Sequence, residues 1–267
     1  MPAAQDADPL VTAERVERRA TPATLDTALL LVGLVALWQV GTLALGREAL
    51  PSPIATVSKL AGIMADEDFP RHAWETARAF LTALVISLVA GLFIGLALGA
   101  HRLSGEVAEP VLTALYSTPK ITLYPVILLL FGLGISAKIA FGVIHGIIPV
   151  ILFTMNAVRN IRVVYLRSAR AMRLTLAQTA FTIIVPAALP EIVSGFRVGF
   201  ALTLLGTLIG EMFASQRGIG YMLVKAMETG DTGTVTALAL LLVVLATCAS
   251  AALLALDRRL RRHALTS

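Results

Sequence analysis

The chain has 267 residues, 57% of them hydrophobic and 15% charged, with a formal net charge of +5. Soluble domains carry about 25% charged residues, so this composition excludes an ordinary water-soluble globule. The basic residues sit at the ends of apolar runs without interleaved aromatics, which argues against nucleic-acid binding; a lone cysteine, Cys248, excludes an internal disulfide.

Residues 1–24 are polar and mixed in charge, with Arg15, Arg18 and Arg19, and read as a flexible tail outside the bilayer. The body, 25–257, holds apolar runs near 27–45, 80–100, 111–133, 139–156, 191–213 and 234–256, each close to the length of about 20 residues that a transmembrane helix needs. The pattern predicts an all-α polytopic membrane protein with about six spans. The first run reads as a retained span: a cleaved signal would be shorter and end at small residues, and Gly46-Arg47-Glu48 is a poor cleavage site. Leu50-Pro51-Ser52-Pro53 follows, and then a mixed segment to Arg78 whose acidic cluster, Asp66, Glu67 and Asp68, reads as a solvated turn.

The second span carries Ser87, Gly91, Gly95 and Gly99 at four-residue intervals, which predicts a close helix-packing face. Pro110 is expected to open the third span; Pro119, Lys120 and Pro125 interrupt it before Phe131-Gly132-Leu133-Gly134. Prolines free backbone carbonyls, which at membrane depth is tolerated only inside protein or beside a water-filled cavity. Ser117, Lys120 and Tyr124 are therefore candidate pathway residues, Lys120 offering a positive contact. A short turn with Ser136 leads to the fourth span, where Gly142 and Gly146 share a face with His145, expected to pack or hydrogen-bond rather than bind metal.

Residues 158–189 hold five arginines (Arg159, Arg162, Arg167, Arg170 and Arg173) and no acid. At helical periodicity Tyr165, Ala169, Met172 and Leu176 fall within about 60° of one another, an outward greasy stripe on a segment too charged to span. Thr175 with Gln178 three residues on reads as a capping box starting a second helix, and Pro186 is expected to end it. A helix–turn–helix with an exposed apolar stripe reads as a docking surface for another protein. The fifth span bears Arg197 near its start and Glu211 near its end, the latter a further candidate pathway residue; 214–233 reads as a loop, and the sixth span ends in a basic tail, 258–267.

From Val185-Pro186-Ala187-Ala188-Leu189-Pro190 and Gly195, the 158–189 loop resembles the cytoplasmic coupling loop of ABC importer permeases of type I. Ala169 matches the second alanine of that loop's pattern, while Arg167 stands where a glutamate is usual and Arg173 where a glycine is usual. Leu50-Pro51-Ser52-Pro53, the interrupted third span and Gly210-Glu211-Met212 resemble the nitrate, sulfonate and taurine branch, from Leu50 to Leu256. The resemblance implies two permease copies (a homodimer) in the bilayer, a cytoplasmic ATPase docked on Tyr165, Arg167, Ala169, Arg170, Met172, Arg173, Thr175 and Leu176, an external binding protein, and a small anionic solute. No phosphate loop, zinc motif or nucleophile elbow occurs, so ATP and Mg are expected on the partner, with no cofactor or metal here and no enzyme activity. A membrane-embedded enzyme or a free-standing channel is the competing reading. With six spans, thirteen Lys and Arg fall on the side of the termini and the 158–189 loop and six on the other, Lys138 among the six, which predicts both termini in the cytoplasm.

Overall fold

The computed structural model describes residues 23–266; the side chains of Ala23, Thr24, Leu166, Leu176, Ala177, Ala180, Ala214 and 256–266 lie outside the described set. The polar N-terminal tail therefore falls outside it almost entirely. Among the described residues all regular structure is helical. Five helices are long and apolar enough to cross a membrane, or six when one bent pair counts as a span.

Residues up to Pro53 form one unit, built on α1 (Ala23–Leu45). Its apolar side chains are exposed nearly all round, as suits a helix solvated by lipid. The segment after it folds back on its end: the Trp38 indole N–H donates to the Pro51 carbonyl at 3.0 Å, and the Thr42 hydroxyl reaches the Trp38 carbonyl at 3.2 Å. The Leu50–Pro53 tetrapeptide thus supplies an acceptor for the tip of the first span.

The second unit begins at Ile54, one residue into α2 (Pro53–Met64), and is centred on three long helices, α3 (Phe69–Ala100), α6 (Ile135–Arg159) and α9 (Val185–Ala214). Helix α3 starts eleven residues before the expected span, so the mixed segment is largely helical: its first part is α2, its last part the first turns of α3, and the acidic cluster lies in the turn between them. Small residues decide how the three pack. Thr76, Ala79, Ala83, Ser87, Gly91, Gly95 and Gly99 form the buried edge of α3. A Cβ on Gly91 would stand 2.7 Å from Val150, and one on Gly95 would stand 2.6 Å from Thr154 and 2.8 Å from the Ile151 carbonyl. Where α9 joins them, Gly142 of α6 meets both Ala83 of α3 and Thr207 of α9, Gly146 meets Thr203 of α9, and Gly199 of α9 meets Val150. Without a hydrophobic drive between helices in lipid, such close backbone approach is what brings dispersion contacts into range. Pro149 lies buried inside α6 without ending it.

The third span is a bent pair. Helix α4 (Arg102–Ser117) and the segment Lys120–Phe131, a single 3₁₀ turn followed by α5 (Tyr124–Phe131), meet at 88°. Pro119 and Pro125 account for the break, each removing an N–H where a continuous helix would need one. Pro110, expected to open this span, lies inside α4, which starts eight residues earlier at Arg102. Arg159 donates to Glu109 at 2.7 Å and ties α4 to the end of α6. The 214–233 segment, read as loop, contains α10 (Ile219–Glu228), and α11 (Thr232–Thr266) continues through the basic tail as helix.

Candidate functional site

Two places gather the residues that the sequence singled out. The first is the hairpin between α6 and α9. Helix α7 (Val163–Ala171) is closed by a Schellman motif: Leu174 N–H donates to the Ala169 carbonyl and Arg173 N–H to the Arg170 carbonyl, both at 3.0 Å. This closure needs a left-handed residue, and Arg173 supplies it with φ of 51°, the one non-glycine at positive φ among the described residues. The next helix, α8 (Leu176–Thr179), is started by a reciprocated capping box. Gln178 N–H reaches the Thr175 hydroxyl at 3.3 Å, and Thr175 N–H reaches the Gln178 side-chain oxygen at 2.9 Å. The turn is therefore left-handed and also held by the Thr175 cap.

Three expectations for this hairpin are corrected. Pro186 does not end the second helix: α8 runs through a π-helical turn (Ala180–Ile184) straight into α9. Proline needs no acceptor for an N–H it lacks, and the wider π turn makes room for its ring. The helical periodicity behind the four-residue stripe breaks at the turn 172–175, between Met172 and Leu176, and the Leu176 side chain lies outside the described set. Finally Ala169, expected to face outward, is only 2% exposed. It sits on the covered side of α7, which packs near the π turn. What the hairpin does present is Val163, Val164, Tyr165 and Met172, with Arg167 and Arg170 exposed beside them. A cavity of about 730 Å³ lies beside α7, lined by Asn160, Arg162, Tyr165, Thr182, Pro186 and Glu191 among others.

The second place is a polar junction where α3, α6, α9 and α10 meet. Glu211, fully buried, accepts the Thr76 hydroxyl at 2.8 Å and the Gly220 N–H at 2.9 Å. The Lys138 ammonium, 1% exposed, donates to Glu75 at 3.0 Å and to the Arg217 carbonyl at 2.8 Å, and stands 3.9 Å from Glu211. Gly218 N–H donates to His72 Nδ1 at 3.0 Å, and Ile219 N–H to Thr76 at 2.9 Å. Gly218 has φ of 125° and lies against the Glu211 carboxylate, so both its backbone geometry and the lack of a Cβ are required there. Lys138, placed in a loop by the charge reading, is thus a buried residue of α6; its ammonium is offset by two carboxylates and a carbonyl, as a charge at this depth requires.

The candidate pathway residues are not brought together. Glu211 belongs to the junction. Tyr124 donates its hydroxyl to the Phe213 carbonyl, so it braces α5 against the end of α9. Ser117 is exposed, and Lys120 donates to the Tyr116 carbonyl at 2.9 Å with its ammonium 5.5 Å from the Tyr116 ring. His145 is bound through Nδ1 to the Phe141 carbonyl at 2.8 Å, and no cluster of metal-ligating side chains occurs among the described residues.

A bundle of closely packed, membrane-length helices with a broken third span and a hairpin between the fourth and fifth defines a multi-pass membrane protein. The chain belongs to the family described as binding-protein-dependent transport system inner membrane component, whose model matches residues 81–262. It is 29% identical over 243 residues to the taurine transport system permease protein of Escherichia coli, covering 89% of this chain and 88% of that protein. It is 25% identical to a putative aliphatic sulfonates transport permease protein of Bacillus subtilis, covering 85% and 83%, and 26% identical to the nitrate import permease protein of Synechococcus elongatus, covering 75% of each. The fold is similar to that of the inward-facing MetNI methionine ABC transporter, with a TM-score of 0.63, 20% identity, and coverage of 71% of this chain and 94% of that one.

Proposed function

We propose that this chain works as a homodimer whose hairpin at 158–189 receives the thrust of a cytoplasmic ATPase, importing a small anion handed over by an external binding protein. Family membership carries the reading as an importer permease. The sulfonate, taurine and nitrate relatives support an anionic solute. The basic bias toward the hairpin and both termini supports a cytoplasmic placement for all three. ATP and its Mg reside on the ATPase, and this chain performs no bond chemistry of its own.

The docking role of the hairpin is supported by exposed apolar side chains on an otherwise charged segment. Tyr165 and Met172 are the anchors, with Arg167 and Arg170 beside them. Arg173, Thr175 and Ala169 shape the hairpin from within, since they close its turn. When the ATPase subunits approach, rigid displacement of α7 passes to α9 through the continuous helix after Thr175, and to α6 through its packing on α9, and the bundles rock. Met172→Glu, in the full complex with ATPase and binding protein, is expected to reduce ATP-driven uptake at least tenfold and to weaken ATPase retention in a pull-down, with membrane insertion unchanged. Full retention and uptake would remove Met172 from the interface.

A further inference from the structure

Arg197 lies inside the fifth span, thirteen residues into α9 and flanked by Phe196 and Val198. It is exposed, and no carboxylate lies against it among the described residues. A guanidinium at that depth is costly unless it faces a cavity or meets an anion. It lines a concave space of about 690 Å³ between α4, α9 and α11. Most of the lining is aliphatic, and its polar side chains are Tyr116 from α4, Arg197 from α9, and Thr247 and Ser250 from α11. No acid lines it among the described residues. A second cation stands close by, since Lys120 is bound to the Tyr116 carbonyl and sits over that ring. An apolar concavity with a few convergent donors and positive charge is the form of a small-ligand site. Its donors are one planar fork and three hydroxyls, which match an oxyanion, and with the guanidinium uncompensated by an acid the groove favours an anion over a cation.

We propose that this groove is an oxyanion-binding site, in which Arg197 takes two oxygens of a sulfonate, nitrate or carboxylate while Tyr116, Thr247 and Ser250 supply further donors. The proposal rests on the importer reading and adds to it a place in this chain where the transported anion would rest. The same chemistry fits the phosphate of an anionic lipid, and the test separates the two.

The full-length chain in a Cys248→Ser background, carrying Ala251→Cys at a lining position that supplies no donor, is placed in phosphatidylcholine nanodiscs and labelled with a neutral thiol reagent. Three conditions are compared: no addition, methanesulfonate, and nanodiscs containing phosphatidylglycerol; neutral dimethyl sulfone is the control. The expected result is labelling slowed at least fivefold by an oxyanion, not by dimethyl sulfone, with the protection lost in Arg197→Gln and largely kept in Arg197→Lys. Protection by methanesulfonate assigns the site to the transported anion, and protection by phosphatidylglycerol alone assigns it to a lipid headgroup. No protection by either, or protection unchanged in Arg197→Gln, overturns the site. The assay needs no ATPase, so it separates from the importer reading: protection without ATP-driven uptake would sink that reading alone, and uptake without protection would sink this one.

Discussion

Arg173 holds a left-handed conformation that costs a non-glycine residue about 1–2 kcal/mol, and it does so because the Schellman bonds and the Thr175–Gln178 box on either side leave the turn no other geometry. Arg173→Gly is therefore expected to slow hydrogen exchange across 163–184 by an amount equivalent to about 1 kcal/mol. Unchanged exchange would mean that the arginine side chain contributes an offsetting contact. Lys138 makes the opposite case. Its single charge serves Glu75 and Glu211, so Lys138→Met leaves two carboxylates facing each other in a buried site, a loss of the class that costs about 3–5 kcal/mol. Thermal denaturation in detergent should show a large drop for Lys138→Met and a partial recovery when Glu211→Gln is added. Equal melting of the two variants would show that Glu211 does not depend on the lysine.

Among the elements, α6 is the one against which α3 and α9 both close, and glycines on those two helices let its larger side chains, Val150, Phe153 and Val158 among them, approach their backbones. Gly95→Leu would drive a branched side chain into Thr154 and the Ile151 carbonyl, a backbone atom that has no room to retreat. Overpacking of this kind costs about 1–3 kcal/mol. The expected outcome is loss of the monodisperse peak on gel filtration, while Phe93→Leu on the exposed side of the same helix elutes normally. Normal elution of Gly95→Leu would mean that α3 can slide along α6. The stripe on α3 was legible from its four-residue spacing. It also extends upstream through Ala83, Ala79 and Thr76 to the polar junction, so the same spacing carried the signal for Thr76, which the sequence reading left in a mixed segment.

Across the molecule, the short α10 is what ties separate spans into one polar end. The turn that follows it is held by Asp231, which accepts from the Thr234 N–H at 2.9 Å and from its hydroxyl, and pairs with Lys59 of α2 at 3.3 Å. The Thr234 hydroxyl first, then its N–H and Lys59, hold the Asp231 carboxyl below its ordinary value. A carboxyl with a lowered folded value stabilises the fold above its unfolded pKa, and the contribution is lost as pH falls through the folded one. Acidification below the ordinary carboxylate range is thus expected to loosen the α2–α11 contact, seen as faster exchange in 229–235. Thr234→Val should move that loosening to higher pH. A transition at the same pH in the variant would show that another group controls it.

Apolar run length, proline placement and the spacing of small residues were enough to establish an all-helical membrane protein with a broken third span, a packing face on the second, and a hairpin with a capped second helix between the fourth and fifth. These features are local: each is decided by residues within a few turns of one another, and helical periodicity reports which of them share a face. What a face meets is not local. Ala169 and Met172 share a sequence stripe, yet the turn at Arg173 sends the first inward and leaves the second exposed. Lys138 borders a loop and carries a charge, so sequence alone assigns it to water; only the folded chain brings Glu75, 63 residues away, within 3.0 Å and makes burial of that charge tolerable. The pairing of distant charges and the inward turn of a small side chain depend on how three helices approach, and that approach is a property of the tertiary structure.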